Sequence, residues 1–357
     1  MALYSIIRGT GSYLPHRIIR NEDFLDSEFY ESTGAKSEKP TEEIIKKFEQ
    51  ITGITERRYV SDELVTSDIA YFAAMDALDT SAVDRDGLDY IIVAHNFGDV
   101  RAGNGRSEFV PSLASRVKEK LQIENPKTIP YDLPFGCPGW LQGVIQANCY
   151  LKSGLASRVL VIGAETFSRV MDPHDRDSMI CADGAGAAIL EAVESEEPLG
   201  ILSHAVRSDT LKHAYMLRMG KSYNPNHVTD KLYLKMDGHK VYQYALRTVP
   251  AVVKESLERA HVTLGGVKKV LLHQANAKMD EAILARLFRL CGKEVSPNVM
   301  PMTISWLGNS SVATLPTLFD LVVKGKVDNH GLGKGDVIVF ASVGAGMNVN
   351  AVTYRMP

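Results

Sequence analysis

The sequence predicts an α/β layered fold with covered sheets. Two observations carry the prediction: short apolar runs alternate with amphipathic stretches almost from end to end, and the runs are rich in β-branched residues and bounded by turn residues. Strands buried between helical layers have that pattern. The composition agrees, since 45% apolar and 23% charged residues are the balance of an ordinary soluble globular protein. A chain of 357 residues has room for two domains or one large double domain and needs no covalent staples to bury its core.

Along the chain, Ala2-Leu3-Tyr4-Ser5-Ile6-Ile7-Arg8-Gly9 reads as a strand running into a turn. Residues 28–47 are polar, with Gly34, Pro40 and several charges, and read as an exposed excursion. Residues 67–78 read as a helix and 88–94 (LDYIIVA) as a buried strand. A helix follows at 139–153, with Leu141, Val144, Ile145 and Cys149 near one face, then a strand at 158–163 (RVLVIG). Asp183-Gly184-Ala185-Gly186-Ala187-Ala188-Ile189-Leu190 reads as a Gly/Ala turn entering a strand. The charged, Pro-containing residues 195–198 then mark a break. Beyond the break come helices at 241–260, 278–290 and 315–323 and strands at 269–272 (KVLL) and 336–341 (DVIVFA). The last turn, Ser342-Val343-Gly344-Ala345-Gly346-Met347-Asn348-Val349, echoes the Gly/Ala turn at 183. The echo suggests a duplicated fold, with one half over residues 1–195 and the other over 196–357.

Several function classes find no support. A net charge of -3 exerts no global pull toward nucleic acid or an anionic membrane. There is no Walker loop, no G-x-S-x-G elbow and no H-E-x-x-H. No apolar run approaches the roughly 18 residues of a spanning helix, and the N-terminus lacks the features of a signal peptide. The four cysteines form no C-x-x-C pair or zinc-spaced cluster, so no metal site is expected. They read as free thiols in a reducing compartment, and the protein as cytoplasmic.

Three segments carry candidate chemistry. In Phe135-Gly136-Cys137-Pro138-Gly139-Trp140, Pro138 suits the first helical position, which puts Cys137 at the N-cap. There the helix dipole and free amides favour thiolate, and the thiolate is a nucleophile. The bland alternative is a small buried hydrophobe, which is the reading kept for Cys149, Cys181 and Cys291. His273 leaves the apolar strand before it and opens a loop, His273-Gln274-Ala275-Asn276. That is where α/β sheets place ligands, although a lone histidine is more often structural. Gly308-Asn309-Ser310-Ser311 enters an apolar helix, and read alone it is a turn with a cap.

Taken together, in the order Cys, His, Asn, these segments resemble the β-ketoacyl-ACP synthase III family over nearly the whole chain. Gly9-Thr10-Gly11-Ser12-Tyr13-Leu14-Pro15, Thr52-Gly53-Ile54-Thr55-Glu56-Arg57-Arg58, Asp172-Pro173-His174-Asp175-Arg176 and Asp183-Gly184-Ala185-Gly186-Ala187 are similar to further family signatures. The resemblance implies a thiolase-like fold, with two pseudo-duplicated βα halves in five α-β-α-β-α layers, and a homodimer. It implies an acyltransferase that performs a decarboxylative Claisen condensation, as in the initiation of fatty acid biosynthesis. Cys137 would carry the acyl group, and His273 and Asn309 would hold the malonyl thioester. The amides of Cys137, Gly344, Ala345 and Gly346 would form the oxyanion site. No cofactor is implied; acyl-CoA or acyl-ACP and malonyl-ACP would be substrates, with acyl carrier protein as partner. Arg176 would flank the adenine of coenzyme A. Lys278 would face the carrier protein, although a solvated helix start is an equal reading.

Some positions depart from the family pattern. Lys47 and Ile51 stand about where Trp and Arg clasp the adenine, which favours an acyl-ACP donor. Val110, in the long 96–111 segment, and Val343 stand where bulky aromatics line the acyl channel, which points to a longer chain. The alternative reading is a specialised relative of secondary metabolism, making alkylresorcinol-type products from a β-ketoacyl thioester or transferring acyl groups to oxygen.

Overall fold

The computed structural model describes residues 2–357. Nine strands form two sheets. The first holds β1 (Ala2–Tyr13), β2 (Tyr90–His95), β3 (Ile129–Pro134), β4 (Arg158–Thr166) and β5 (Asp183–Ser195), in the order β1-β5-β4-β2-β3. The second holds β6 (Gly200–Ser208), β7 (Val267–Leu272), β8 (Val337–Gly344) and β9 (Asn348–Arg355), in the order β6-β9-β8-β7. In the first sheet β1 is antiparallel to β5, β5 antiparallel to β4, and β4 parallel to β2. In the second, β6 is antiparallel to β9, β9 antiparallel to β8, and β8 parallel to β7. Order and sense repeat, so the two sheets are copies of one plan, with β3 as the extra edge of the first. The Gly/Ala segments at 183 and 344 lead into β5 and β9, which hold equivalent places in the two copies.

Seven helices fill the layers: α1 (Thr41–Thr52), α2 (Thr66–Ser81), α3 (Leu113–Lys120), α4 (Gly139–Lys152), α5 (Gly238–Arg259), α6 (Ala277–Leu290) and α7 (Thr314–Val323). The period-2 alternation of the central strands shows why there are five layers. Val159 and Val161 of β4 share a core with Trp140 and Leu141 of α4, Leu315 and Leu318 of α7, and Ile338 and Phe340 of β8. The intervening Leu160 and Ile162 point the other way, onto α2 and α3. Val339 and Ala341 of β8 face α5 and α6. Two buried helices, α4 and α7, therefore lie between the sheets, and α2 with α3 and α5 with α6 cover their outer faces. Among the described residues no helix is long and apolar enough to cross a membrane.

Most elements fall where the periodicity places them, and three readings need correction. The Gly9–Gly11 stretch is not a turn; β1 runs through it, with its register shifting between Ile7 and Gly9. Gly9 is there because α2 passes close, and a Cβ at Gly9 would sit 2.5 Å from the Ser81 Cβ. Likewise the glycines after Asp183 lie within β5, where a Cβ at Gly186 would come 2.5 Å from the Thr317 amide nitrogen of α7. Finally, the polar 28–47 excursion ends in α1, which buries Ile44, Ile45 and Phe48. Three apolar positions on one face are enough to dock an otherwise charged helix.

Candidate active site

The chain reaches Cys137 through an elbow between β3 and α4. Gly136 has φ +68, the left-handed region that favours glycine. A Cβ there would meet the Ala345 nitrogen at 3.0 Å and the Ala345 Cβ at 3.2 Å. The Gly139 amide donates to the Gly136 carbonyl at 2.9 Å. Pro138 is the cap and α4 starts at Gly139, so Cys137 sits one residue before the N-cap and not, as the sequence predicts, at it. The end of β8 closes on the same elbow: a Cβ at Gly344 would lie 2.6 Å from the Pro138 Cδ, 2.7 Å from the Cys137 nitrogen and 2.9 Å from the Cys137 Cβ. Gly344 is extended, with φ -167, so the demand for glycine here is steric. A Gly344→Ala chain is expected to fold with a modestly lower melting temperature, since overpacking of this kind costs about 1–3 kcal/mol. Its rate of acylation at Cys137 is expected to fall about 100-fold through displacement of the nucleophile. A wild-type rate measured by intact mass against time would contradict this.

Asn309 arrives from the loop before α7. Its amide donates to the Ile180 carbonyl at 2.9 Å, and its carbonyl accepts from the Ala182 amide at 2.8 Å. The Asn309 Oδ1 accepts from the Ser311 amide at 2.8 Å. That bond fixes the amide's orientation and leaves the Nδ2 donor free. The Ser311 Oγ is 3.4 Å from the Cys137 Sγ, so Asn309 and Cys137 are joined through one residue. His273 follows directly on β7; its amide donates to the Ala341 carbonyl of β8 at 2.8 Å. The loop after it is held by Gln274, whose Oε1 accepts from the Thr303 amide at 2.9 Å and whose Nε2 donates to the Pro301 carbonyl at 2.7 Å. Asn276 then caps α6, accepting from the Met279 amide at 3.1 Å.

The electrostatics correct the expectation of an acidified thiol. Cys137 keeps partial access to solvent, yet burial of the sulfur pushes its thiol up to about 11. The Ser311 hydroxyl opposes that rise, and the buried Glu165 carboxyl adds to it. Burial holds His273 down at about 4, so its imidazole is neutral at pH 7. Its Nδ1 is buried without a partner among the described residues. Glu165, at the end of β4, is fully buried, and desolvation raises its carboxyl to about 7.

A cleft of about 870 Å³ opens from the surface down to Asn309. Lys47, Phe48 and Ile51 of α1 line it, with Arg176, Tyr242 and Met279. Arg176 is paired with Glu31 across it at 2.9 Å. The loop bearing Arg176 is braced from below by the buried Lys235, whose Nζ lies 2.5 Å from Asp172 and 3.0 Å from Asp175. Lys278 is exposed on the first turn of α6, next to the cleft residue Met279. The other two expected lining residues lie elsewhere. Val110 is 89% exposed and outside the cleft, and Val343 is buried in the outer core with Leu272 and Tyr244. Val343 belongs to the face of β8 that looks onto α5 and α6, because alternation turns its neighbours Ser342 and Gly344 the other way. Cys149, expected to be buried, is exposed; Asn148 and Leu151 take the buried side of α4 there.

Sequence reasoning missed Asn96, Glu165 and Ser311 as members of the site. The available signal was an acidic residue at the C-terminal end of a buried apolar strand, where solvent-facing charge is not expected.

Two stacked copies of one βα plan around a pair of buried helices, with a cysteine on the elbow of one of those helices, define a thiolase-like condensing enzyme. Family models of the 3-oxoacyl-[acyl-carrier-protein] synthase III match residues 131–210 and, for the C-terminal part, 257–356. The β-ketoacyl-[acyl-carrier-protein] synthase III of Erythrobacter litoralis is 31% identical and covered over 98% of both chains. That of Chelativorans sp. is 30% identical over 98% of this chain and 99% of its own. The solved synthase III of Thermus thermophilus superposes with a TM-score of 0.80 at 28% identity, covering 99% of each chain. The chain belongs to the 3-oxoacyl-ACP synthase III family and is a condensing acyltransferase.

Proposed function

We propose that the protein joins an acyl thioester to a malonyl thioester by decarboxylative Claisen condensation, with Cys137, His273 and Asn309 as the working residues. The observation that carries the reading is the convergence of the Cys137 elbow, through Ser311, with Asn309, a residue that lines the cleft. Cys137 sulfur attacks the carbonyl of the acyl donor, and the donor's thiol leaves with the proton. The malonyl thioester then enters, and its carbonyl accepts hydrogen bonds from the free Asn309 Nδ2 and the neutral His273 imidazole. Loss of CO2 leaves its electron pair as an enolate on that carbonyl. The enolate carbon attacks the acyl-cysteine, whose oxyanion rests on the amides around Cys137 and the Gly344-Ala345-Gly346 turn. Collapse expels the Cys137 sulfur and releases a β-ketoacyl thioester. No cofactor takes part in this sequence. Intact-mass measurement with a panel of acyl-CoA and acyl-ACP donors, followed by addition of malonyl-ACP, tests it. An acyl adduct on Cys137 that malonyl-ACP discharges with release of CO2 is the expected result; no adduct from any donor would sink the reading.

The donor is an acyl-ACP in preference to free acyl-CoA. Lys47 and Ile51 at the mouth offer no aromatic face to an adenine, and Arg176 is already neutralised by Glu31. Replacing Ile51 by Trp is expected to lower KM for an acyl-CoA by about 2- to 10-fold, since an aromatic stack is worth about 0.5–1.5 kcal/mol. KM for the matching acyl-ACP is expected to stay unchanged, because the carrier brings no adenine. Equal shifts for both donors would remove adenine stacking as the cause. The carrier itself docks beside the cleft near the exposed Lys278. Two chains pair through β3, the open edge of the first sheet, whose backbone groups are free to extend the sheet.

A further inference from the structure

We infer that Ser311 is the hydroxyl that stabilises the Cys137 thiolate, and that Asn96 and the buried Glu165 are positioning residues that aim its proton at the sulfur. The inference rests on the reading of Cys137 as nucleophile and adds the device that makes this sulfur reactive.

The argument is one of donor counting. The Glu165 Oε2 accepts twice from one residue, from the Asn96 amide at 2.9 Å and from the Asn96 Nδ2 at 2.5 Å. An amide NH2 carries two protons. With one engaged on Glu165, the other is donated to the Ser311 Oγ at 2.9 Å. The Ser311 oxygen is then an acceptor toward Asn96, and its single proton is free for its other near partner, the Cys137 Sγ at 3.4 Å. A thiolate accepts and cannot donate, so the chain Glu165–Asn96–Ser311–Cys137 has the polarity that a thiolate needs. The Asn96 side chain is held in this orientation because its Nδ2 and its backbone amide both donate to the same acceptor oxygen of Glu165.

Three further observations support the assignment. Ser311 has φ +54, in the left-handed region that is uncommon for a residue other than glycine. It is held there by the Asn309 side chain on its amide. Glu165 is 0% exposed, and its Oε1 has no partner among the described residues. A carboxyl kept buried with one oxygen unsatisfied is destabilising, which fits a role in the site better than a role in the core. The charge acting on the sulfur comes from Glu165 on β4, and those acting on Glu165 come from His95 on β2 and Asp183 on β5. His273 is neutral and adds none.

The experiment measures the rate of iodoacetamide alkylation at Cys137 against pH, by quantifying the Cys137 peptide in the full-length protein. The exposed Cys149 serves as internal control. Below its inflection the rate follows the thiolate fraction. Ser311→Ala is expected to lower the Cys137 rate about tenfold at every pH below the inflection, the effect of removing a hydrogen bond to a charged group, with Cys149 unchanged. Asn96→Ala is expected to move the rate in the same direction by a smaller factor. It also carries the test alone should the Ser311 variant fail to fold. Glu165→Gln keeps an acceptor for Asn96 and removes a like charge, so its Cys137 rate is expected to equal or exceed the wild type. A wild-type Cys137 rate in both Ser311→Ala and Asn96→Ala overturns the inference, and a Glu165→Gln rate as low as that of Ser311→Ala overturns the part given to Glu165. Acylation of wild-type Cys137 by an acyl donor, measured in parallel, separates the two readings: its absence defeats the nucleophile itself, whereas its presence beside unchanged alkylation in the variants defeats only the relay.

Discussion

The Cys137→Ala chain is expected to take up no acyl mass from any donor and to form no β-ketoacyl product, while melting within a few degrees of the wild type. The loss should be complete because none of the other three cysteines can stand in for it. Cys149 is exposed on α4, and Cys291 follows the end of α6. Cys181 is buried, and desolvation raises its thiol well above the usual range. The substitution removes one sulfur atom from a site that already has partial solvent access, so the stability change is expected to be small. Acyl mass retained by the variant and mapped to another residue would move the nucleophile elsewhere.

His273→Ala and Asn309→Ala are expected to keep acyl transfer to Cys137 and to lose condensation, each by about 100- to 1000-fold, the usual effect of removing one donor from a developing oxyanion. The split follows from geometry. Asn309 meets the cysteine only through Ser311, and Asn309 itself lines the cleft where the second substrate would enter. Single-turnover acylation and malonyl decarboxylation, measured separately, would show the division; near-normal condensation by Asn309→Ala would sink it. The pH dependence adds a check. Because His273 is held at about 4, condensation should show no limb from this ring near pH 6.5, where an ordinary histidine titrates. For stability the sign is as follows: the folded pKa lies below the unfolded one, so the neutral buried ring contributes fully above about pH 6.5. That contribution falls as pH drops from there through 4, because the unfolded chain binds the proton first.

Much of this was legible before any coordinates. Helices and strands fell close to their predicted bounds because their signals are local. A buried strand such as β4 needs a run of β-branched residues, and α4 needs a proline and glycines at its start and apolar residues at helical spacing. The elbow at Cys137 and the strand-end position of His273 were readable for the same reason. Even the duplication left a trace in the Gly/Ala segments that open β5 and lead into β9.

What the sequence by itself determined is therefore the helices and strands with strong local signals and the chemistry at their ends. The tertiary structure alone decided which ends meet. Ser311 is 174 residues from Cys137, and Asn96 is 215 from Ser311; no spacing rule links them. Stacking of the two sheets brings them within hydrogen-bond reach. The same holds for Arg57, quoted in the sequence only as part of a signature. It proves fully buried, donating to the carbonyls of Met179 and Ile19 and to the Asn21 side chain, behind a Gly308 where a Cβ would lie 2.7 Å from its own Cβ. Val110 and Val343 show the converse, since their place in the chain pointed to the acyl channel and the fold sends one to solvent and the other to the outer core. The proton affinity of Cys137 belongs to this second group as well. A helix start lowers a thiol's pKa by a local field, but desolvation by the surrounding layers raises it, and how dense those layers are depends on contacts between residues hundreds of positions apart.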